Sequence, residues 1–141
     1  MTAAEILSLF PSTFLSFVVA FSLGVVFWVA GLITVSLITP HPELKLLRAG
    51  NLPCAIAFGG KALGMVLPIA AVARSAAGPL DQIIWCVVAV GVQLVVHLIL
   101  SMLLPGRLKE EIEADQIGGG AIFIAFMQVG AGILNNAVMS G

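Results

Sequence analysis

Residues 12–39 contain no acidic or basic side chain. No other feature of the chain restricts its fold as tightly, because about 20 apolar residues already suffice for a helix to cross the roughly 30 Å hydrocarbon core of a bilayer. Further apolar runs follow at about residues 52–73, 81–104 and 117–139, and their only charged side chains are Lys61 and Asp81. In hydrocarbon the backbone of each run must satisfy its own hydrogen bonds, which helices do. The sequence therefore predicts an all-α integral membrane protein with four transmembrane helices. With 60% hydrophobic and 9% charged residues, almost nothing remains for a soluble part, and residues 1–141 are expected to form a single membrane domain.

The connections carry the charge. "PHPELKLLRAGN" joins the first two runs and "PGRLKEEIEADQ" the last two, while "RSAAGPL" makes a tight turn in which Gly78 and Pro79 break the helix and Asp81 can cap the next. Each charged loop can form a short interfacial helix, with Pro42 suited to an opening turn and Gly50 to a stop. A solvated turn is the alternative in both. Lys45, Arg48, Arg107 and Lys109 lie in the first and third loops, against Arg74 alone in the second, so the positive-inside rule puts those two loops in the cytoplasm and both termini outside. The N-terminus has no basic segment and carries Glu5, so it does not read as a cleaved signal peptide.

The layout reads as one helix-loop-helix unit used twice in tandem. A shift of 65 positions brings Pro40 onto Pro105, Ala49 onto Ala114, Leu52 onto Ile117 and Phe58 onto Phe123; halves of this kind would be related by an axis along the membrane normal. Close backbone approach through small residues drives much helix association in lipid. Gly60 and Gly64 form such a seam on the second run, Ser16, Ala20 and Gly24 on the first, and Ala121 and Ala125 on the fourth, next to the glycines at 118–120. These seams serve packing within one chain or between chains. Four short helices bury limited surface, so a homo-oligomer is expected, most simply a dimer. Pro68 should kink its helix and free the Gly64 carbonyl.

Polar side chains at membrane depth are functional pointers, because each is costly unless partnered. Here they are Lys61, Gln93, His97 and Gln128. Counted from the charged-loop ends they fall within a layer roughly 6 Å thick, so all four can meet. Helical side chains tilt toward the N-terminus; Lys61 thus leans toward the loop side and is expected to snorkel to water, whereas His97 leans toward Gln93 and the midplane. Three readings follow: interhelical hydrogen bonds around a snorkelling lysine, a narrow water-filled path for a small ion or solute, or a desolvated Lys61 acting as base or nucleophile. Asn135 and Asn136 are expected to cap the end of the fourth helix.

Other chemistry finds no support. His41, His97, Cys54 and Cys86 are too few and too scattered for a metal site, no nucleophile elbow or phosphate loop occurs, and the acidic residues between Glu110 and Asp115 read as a solvated face. No catalysis, cofactor or metal is therefore expected. A formal net charge of −1 sets nucleic acid aside, and the two cysteines read as small hydrophobes rather than a disulfide.

The runs "ITPHPELKLL", "NLPCAIAFGGKALGMVLP", "DQIIWCVVAVGVQLVVH" and "AGILNNAVM" together resemble the small bacterial inner-membrane proteins of the YjfL type, a family with a domain of unknown function. Thr39, Pro40, His41 and Glu43 match its loop pattern; Asn51, Ala55, Gly60, Leu63, Gly64 and Pro68 its second span; Asp81, Trp85, Gln93 and Leu94 its third; Gly132, Ile133, Asn135 and Ala137 its fourth. Lys61 and His97 depart from that pattern, which makes Gln93 the candidate for a shared role. The resemblance implies four spans, tandem duplication among relatives and no established activity. Together with the charged loops it leads to an expected non-catalytic anchor in an envelope-maintenance system, with a cytoplasmic protein partner at the loops around Lys45 and Lys109. A small channel or transporter using the layer around Gln93 is the alternative.

Overall fold

The computed structural model describes residues 1–140. Six helices follow one another without a strand among the described residues: α1 (Ala3–Ile38), α2 (Glu43–Arg48), α3 (Leu52–Ser75), α4 (Pro79–Leu103), α5 (Arg107–Ala114) and α6 (Gly119–Met139). Four of them, α1, α3, α4 and α6, are long and apolar enough to cross a membrane. The order is long, short, long, then again long, short, long. The charged ends meet at one face, called here the loop face; the α3–α4 turn lies at the other.

Helix α1 starts well before the uncharged run, because Thr2 and Glu5 form a reciprocal cap: Glu5 N donates to Thr2 Oγ1 and Thr2 N to Glu5 Oε2. At 36 residues it rises roughly 54 Å, against roughly 36 Å for α3. Gln82 Nε2 donates to the Ala20 carbonyl at 2.8 Å, which sets Ala20 level with the first turn of α4. The segment before it projects past its neighbours, and a stacked file of exposed rings, Phe10, Phe14, Phe17 and Phe21, runs along it and ends just beyond Ala20, with centroids 5.6–6.2 Å apart.

Helix α3 is the hub and touches every other element. Its most extensive contact is with α6, which runs parallel to it. A Cβ at Gly60 would collide with the Ala125 backbone, one at Gly64 with the Gln128 carbonyl, and one at Gly132 with the Gly64 carbonyl. The Gly60 and Gly64 seam is thus consumed inside the chain. The carbonyl that Pro68 leaves without its helical donor is the one that faces Gly132, a backbone-to-backbone contact only glycine allows. On the other side of α3, Gly31 of α1 admits the Met65 sulfur, and Met65, Ile69 and Val72 pack with Val35, Cys86 and Ala89 into the core. Gly24 rests against Ile69 in ordinary contact and Ala121 is fully buried.

Candidate functional site

Two polar centres stand where the sequence predicted one layer. The first lies toward the loop face. Proline at 40 and 42 turns the chain back after α1, and Gly50 (φ 77°) ends α2 with a left-handed turn that returns Gly50 N and Asn51 N to the Leu47 and Leu46 carbonyls. That turn seats the first residue of α2, Glu43, against α3. Lys61 Nζ donates to Glu43 Oε1 at 2.9 Å, and the two side chains are only 2% and 1% exposed. Ser36 Oγ donates to Glu43 Oε2 at 2.7 Å, so both carboxylate oxygens are used.

The expectation that Lys61 snorkels is therefore corrected. A buried ammonium is held by a paired carboxylate where one is within reach, and here α2 delivers it. Burial acts to raise the Glu43 pKa, yet the Lys61 charge and the hydrogen bonds from Lys61 and Ser36 outweigh it and leave the carboxyl below its usual range. His41, with Nε2 4.0 Å from Glu43 Oε1, is pushed the same way for another reason: burial and the Lys61 charge depress it, and Glu43 only partly opposes them.

His97 also departs from expectation. It meets Thr39 rather than Gln93, with Nε2 3.4 Å from Thr39 Oγ1. The Thr39 hydroxyl also donates to the Val35 carbonyl at 2.7 Å. The second centre is Gln93 with Gln128. Gln93 Nε2 reaches the Gln128 carbonyl at 3.5 Å, while Gln93 Oε1 and Gln128 Nε2 are buried with no partner among the described residues.

The loop helices are fastened to the bundle by side chains. Asn51 Oδ1 accepts from Cys54 N at 3.0 Å and Asn51 Nδ2 donates to the Ile112 carbonyl at 2.9 Å, which joins α3 to α5. Asp115, itself in a left-handed conformation (φ 48°), accepts from Leu52 N. Glu111 accepts from Gly120 N at 2.9 Å and Ala121 N at 2.7 Å. The acidic loop expected to be a solvated face thus supplies caps to two membrane helices, where negative charge meets the positive ends of the helix dipoles. Glycine at 118 and 120 makes room, since a Cβ at either position would strike the Glu111 carboxylate.

Asn135 and Asn136 do not cap α6. They tie it to its neighbours, by donation to the Ala89 and Leu67 carbonyls, as Trp28 Nε1 ties α1 to the Ala62 carbonyl of α3. Interior amides of this kind leave backbone carbonyls satisfied twice and fix helix register.

A four-span helical membrane protein with charged side chains folded back under its loop face is the class these features define. The chain belongs to the family described as Domain of Unknown Function (DUF350), whose sequence pattern matches residues 8–139. It is 31% identical over 126 residues to the UPF0719 inner membrane protein YjfL of Escherichia coli (strain K12), a match covering 89% of this chain and 94% of that protein. The protein of the same name from Escherichia coli O157:H7 matches to the same extent. No solved structure matches. Like these relatives, the chain is an inner-membrane protein of a family without an assigned function.

Proposed function

We propose that the chain is a non-catalytic membrane anchor that presents its loop face to a cytoplasmic protein partner in an envelope-maintenance system. One observation carries this reading: Asn51, Glu111 and Asp115 lock α5 onto the first turns of α3 and α6, and the Glu43–Lys61 pair holds α2 against α3, so the exposed side chains there sit on a stiff frame. Leu44 is 62% exposed, and the Lys109 and Glu113 side chains are 74% and 67% exposed. A preformed surface binds with less ordering cost than a mobile loop. The two long-short-long halves act as tandem repeats, and the protein works as a homodimer. Photo-crosslinking from Leu44, Lys109 and Glu113 in native membranes tests the reading; discrete protein adducts are expected. Only lipid adducts would overturn it.

A small channel or transporter is the second reading, favoured by the unpartnered Gln93 Oε1 and Gln128 Nε2. Flux in liposomes that is lost in Gln93→Leu is its expected result, and absence of flux for the unaltered protein removes it. Labelling of a single cysteine placed at Lys45 from the cytoplasmic side alone is the outcome expected for the orientation.

A further inference from the structure

A cavity of about 410 Å³ opens beside the Glu43–Lys61 pair, between the loop-face ends of α1 and α4, with α5 across it. Its polar lining is cationic or neutral throughout: Lys61, His41, His97, Lys109, Thr39 and Ser101. No carboxylate is in the wall; Glu43 pairs with Lys61, and Glu113 lies 3.9 Å from the Lys109 ammonium outside it. The Lys61 ammonium has three donors, and only one has a partner, Glu43, among the described residues. Two donors on a side chain 2% exposed are therefore left without an acceptor where the side chain meets the cavity.

The rest of the wall is apolar, from Ile38, Leu98, Leu100, Leu104, Leu108 and Ile124. Ile38 and Leu98 are about half exposed, at 46% and 50%, so the cavity opens on the periphery of the bundle, where acyl chains run. The depth fits as well. Lys61 lies nine residues into α3 and His97 six residues from the end of α4, or roughly 9 to 14 Å from the helix ends, with Lys109 nearer the loop-face surface. Such a site offers hydrogen-bond donors inside, a flexible cation at the rim and greasy walls beside them.

We infer that this cavity binds the phosphate headgroup of an anionic phospholipid, with Lys61 and Lys109 as donors to the phosphate oxygens and the leucines of α4 and α5 along the upper acyl chains. Anionic oxygens supply the acceptors that the Lys61 ammonium lacks. Basic pockets between membrane helices are suited to such headgroups, and the volume lies in the range of pre-formed small-molecule sites. His97 Nε2, engaged with Thr39, positions the wall, and His41 lies beside Glu43 at the entrance side. The phosphate bears on Lys61 from the side opposite Glu43, so one ammonium bridges two anions. The site shares Lys109 with the loop face of the anchor reading but does not rest on that reading, since a lipid bound here needs no protein partner.

The test uses the full chain in a neutral maltoside detergent, offered dioleoyl phosphatidylglycerol, dioleoyl phosphatidylcholine or inorganic phosphate, with bound mass read by native mass spectrometry. Phosphatidylglycerol should bind about tenfold more tightly than phosphatidylcholine, and Lys109→Gln should remove most of that preference. Lys45→Gln, an exposed lysine outside the cavity, should leave it intact. Ser101→Leu, which narrows the cavity without touching a charge, should weaken both lipids. Equal binding of the two lipids overturns the inference, as does inorganic phosphate binding as tightly as phosphatidylglycerol, or an equal loss in Lys45→Gln and Lys109→Gln. Because Lys109 is mostly exposed, its substitution does not threaten folding, and the comparison of lipids on the unaltered chain stands even if Ser101→Leu fails to fold.

Discussion

Lys61 Nζ lies 2.9 Å from Glu43 Oε1, and the two residues come from a membrane helix and the short helix that precedes it. Buried pairs of this kind are weak evidence of net stability, because desolvation opposes the attraction, but breaking one leaves an uncompensated charge. Glu43→Gln should therefore destabilise by about 3 to 5 kcal/mol, and Lys61→Met by less, since the carboxylate it leaves behind can take up a proton and become neutral. The double variant should be more stable than Glu43→Gln alone. A double-mutant cycle on unfolding in detergent measures the coupling.

Acid should destabilise the loop face in two stages. The folded chain holds His41 below its ordinary pKa of 6.5, so as the pH falls through that value the unfolded chain binds a proton that the folded one declines, and stability drops. Glu43 is also held below its ordinary 4.5; its contribution is full above that value and is lost as the pH falls through the lower folded one. His41→Gln should diminish the first stage and keep the second in thermal midpoints recorded between about pH 2 and 8.

The α3–α6 seam gives a comparison between adjacent glycines. Gly60→Ala would drive a methyl group into the Ala125 backbone, whereas a Cβ at Gly59 meets nothing within 4 Å. Gly60→Ala should lower stability by about 1 to 3 kcal/mol or more through overpacking. Gly59→Ala should raise it by up to about 1 kcal/mol through helix propensity. Both are read from unfolding in the same detergent.

Removal of the Glu111 carboxylate should uncap α6. Glu111→Ala should cost about 1 to 2 kcal/mol and increase hydrogen exchange at the Gly120 and Ala121 amides. Gly118→Ala should do the same from the other side, since the added methyl group displaces the carboxylate, while Gly119→Ala should not.

Much of the scaffold was legible because its signals are local. Uncharged length marks a span, small residues four apart mark a seam, and Gly50 after a short charged stretch marks a stop. The site was less so. Lys61 was conspicuous, but its partner sits in a loop between two prolines and a glycine, and a loop carboxylate reads as solvated until α2 is known to fold back under the bundle. The available signal was the lysine itself: a buried ammonium needs a counter-charge, and Glu43 is the acidic residue nearest before it in sequence. Asn51 could be read as a cap from its place before "LP", but its second bond, to Ile112, joins residues 61 positions apart. Glu111 was hidden for the same reason. The amides of Asn135 and Asn136 were visible near a helix end; that they point sideways into neighbouring helices depends on helix rotation, which their position alone does not set.

The overhang of α1 has a consequence for the membrane around the protein. Ala20 is pinned beside the first turn of α4, so an α1 standing upright would lift Phe14 roughly 5 Å and Phe10 roughly 10 Å past the start of α4. Rings there favour lipid, so the molecule leans or the surrounding leaflet thickens to cover them, and hydrophobic mismatch of this kind sorts proteins between bilayers of different thickness. The first helix thus acts as a depth gauge, with the rest of the bundle tilted to suit it.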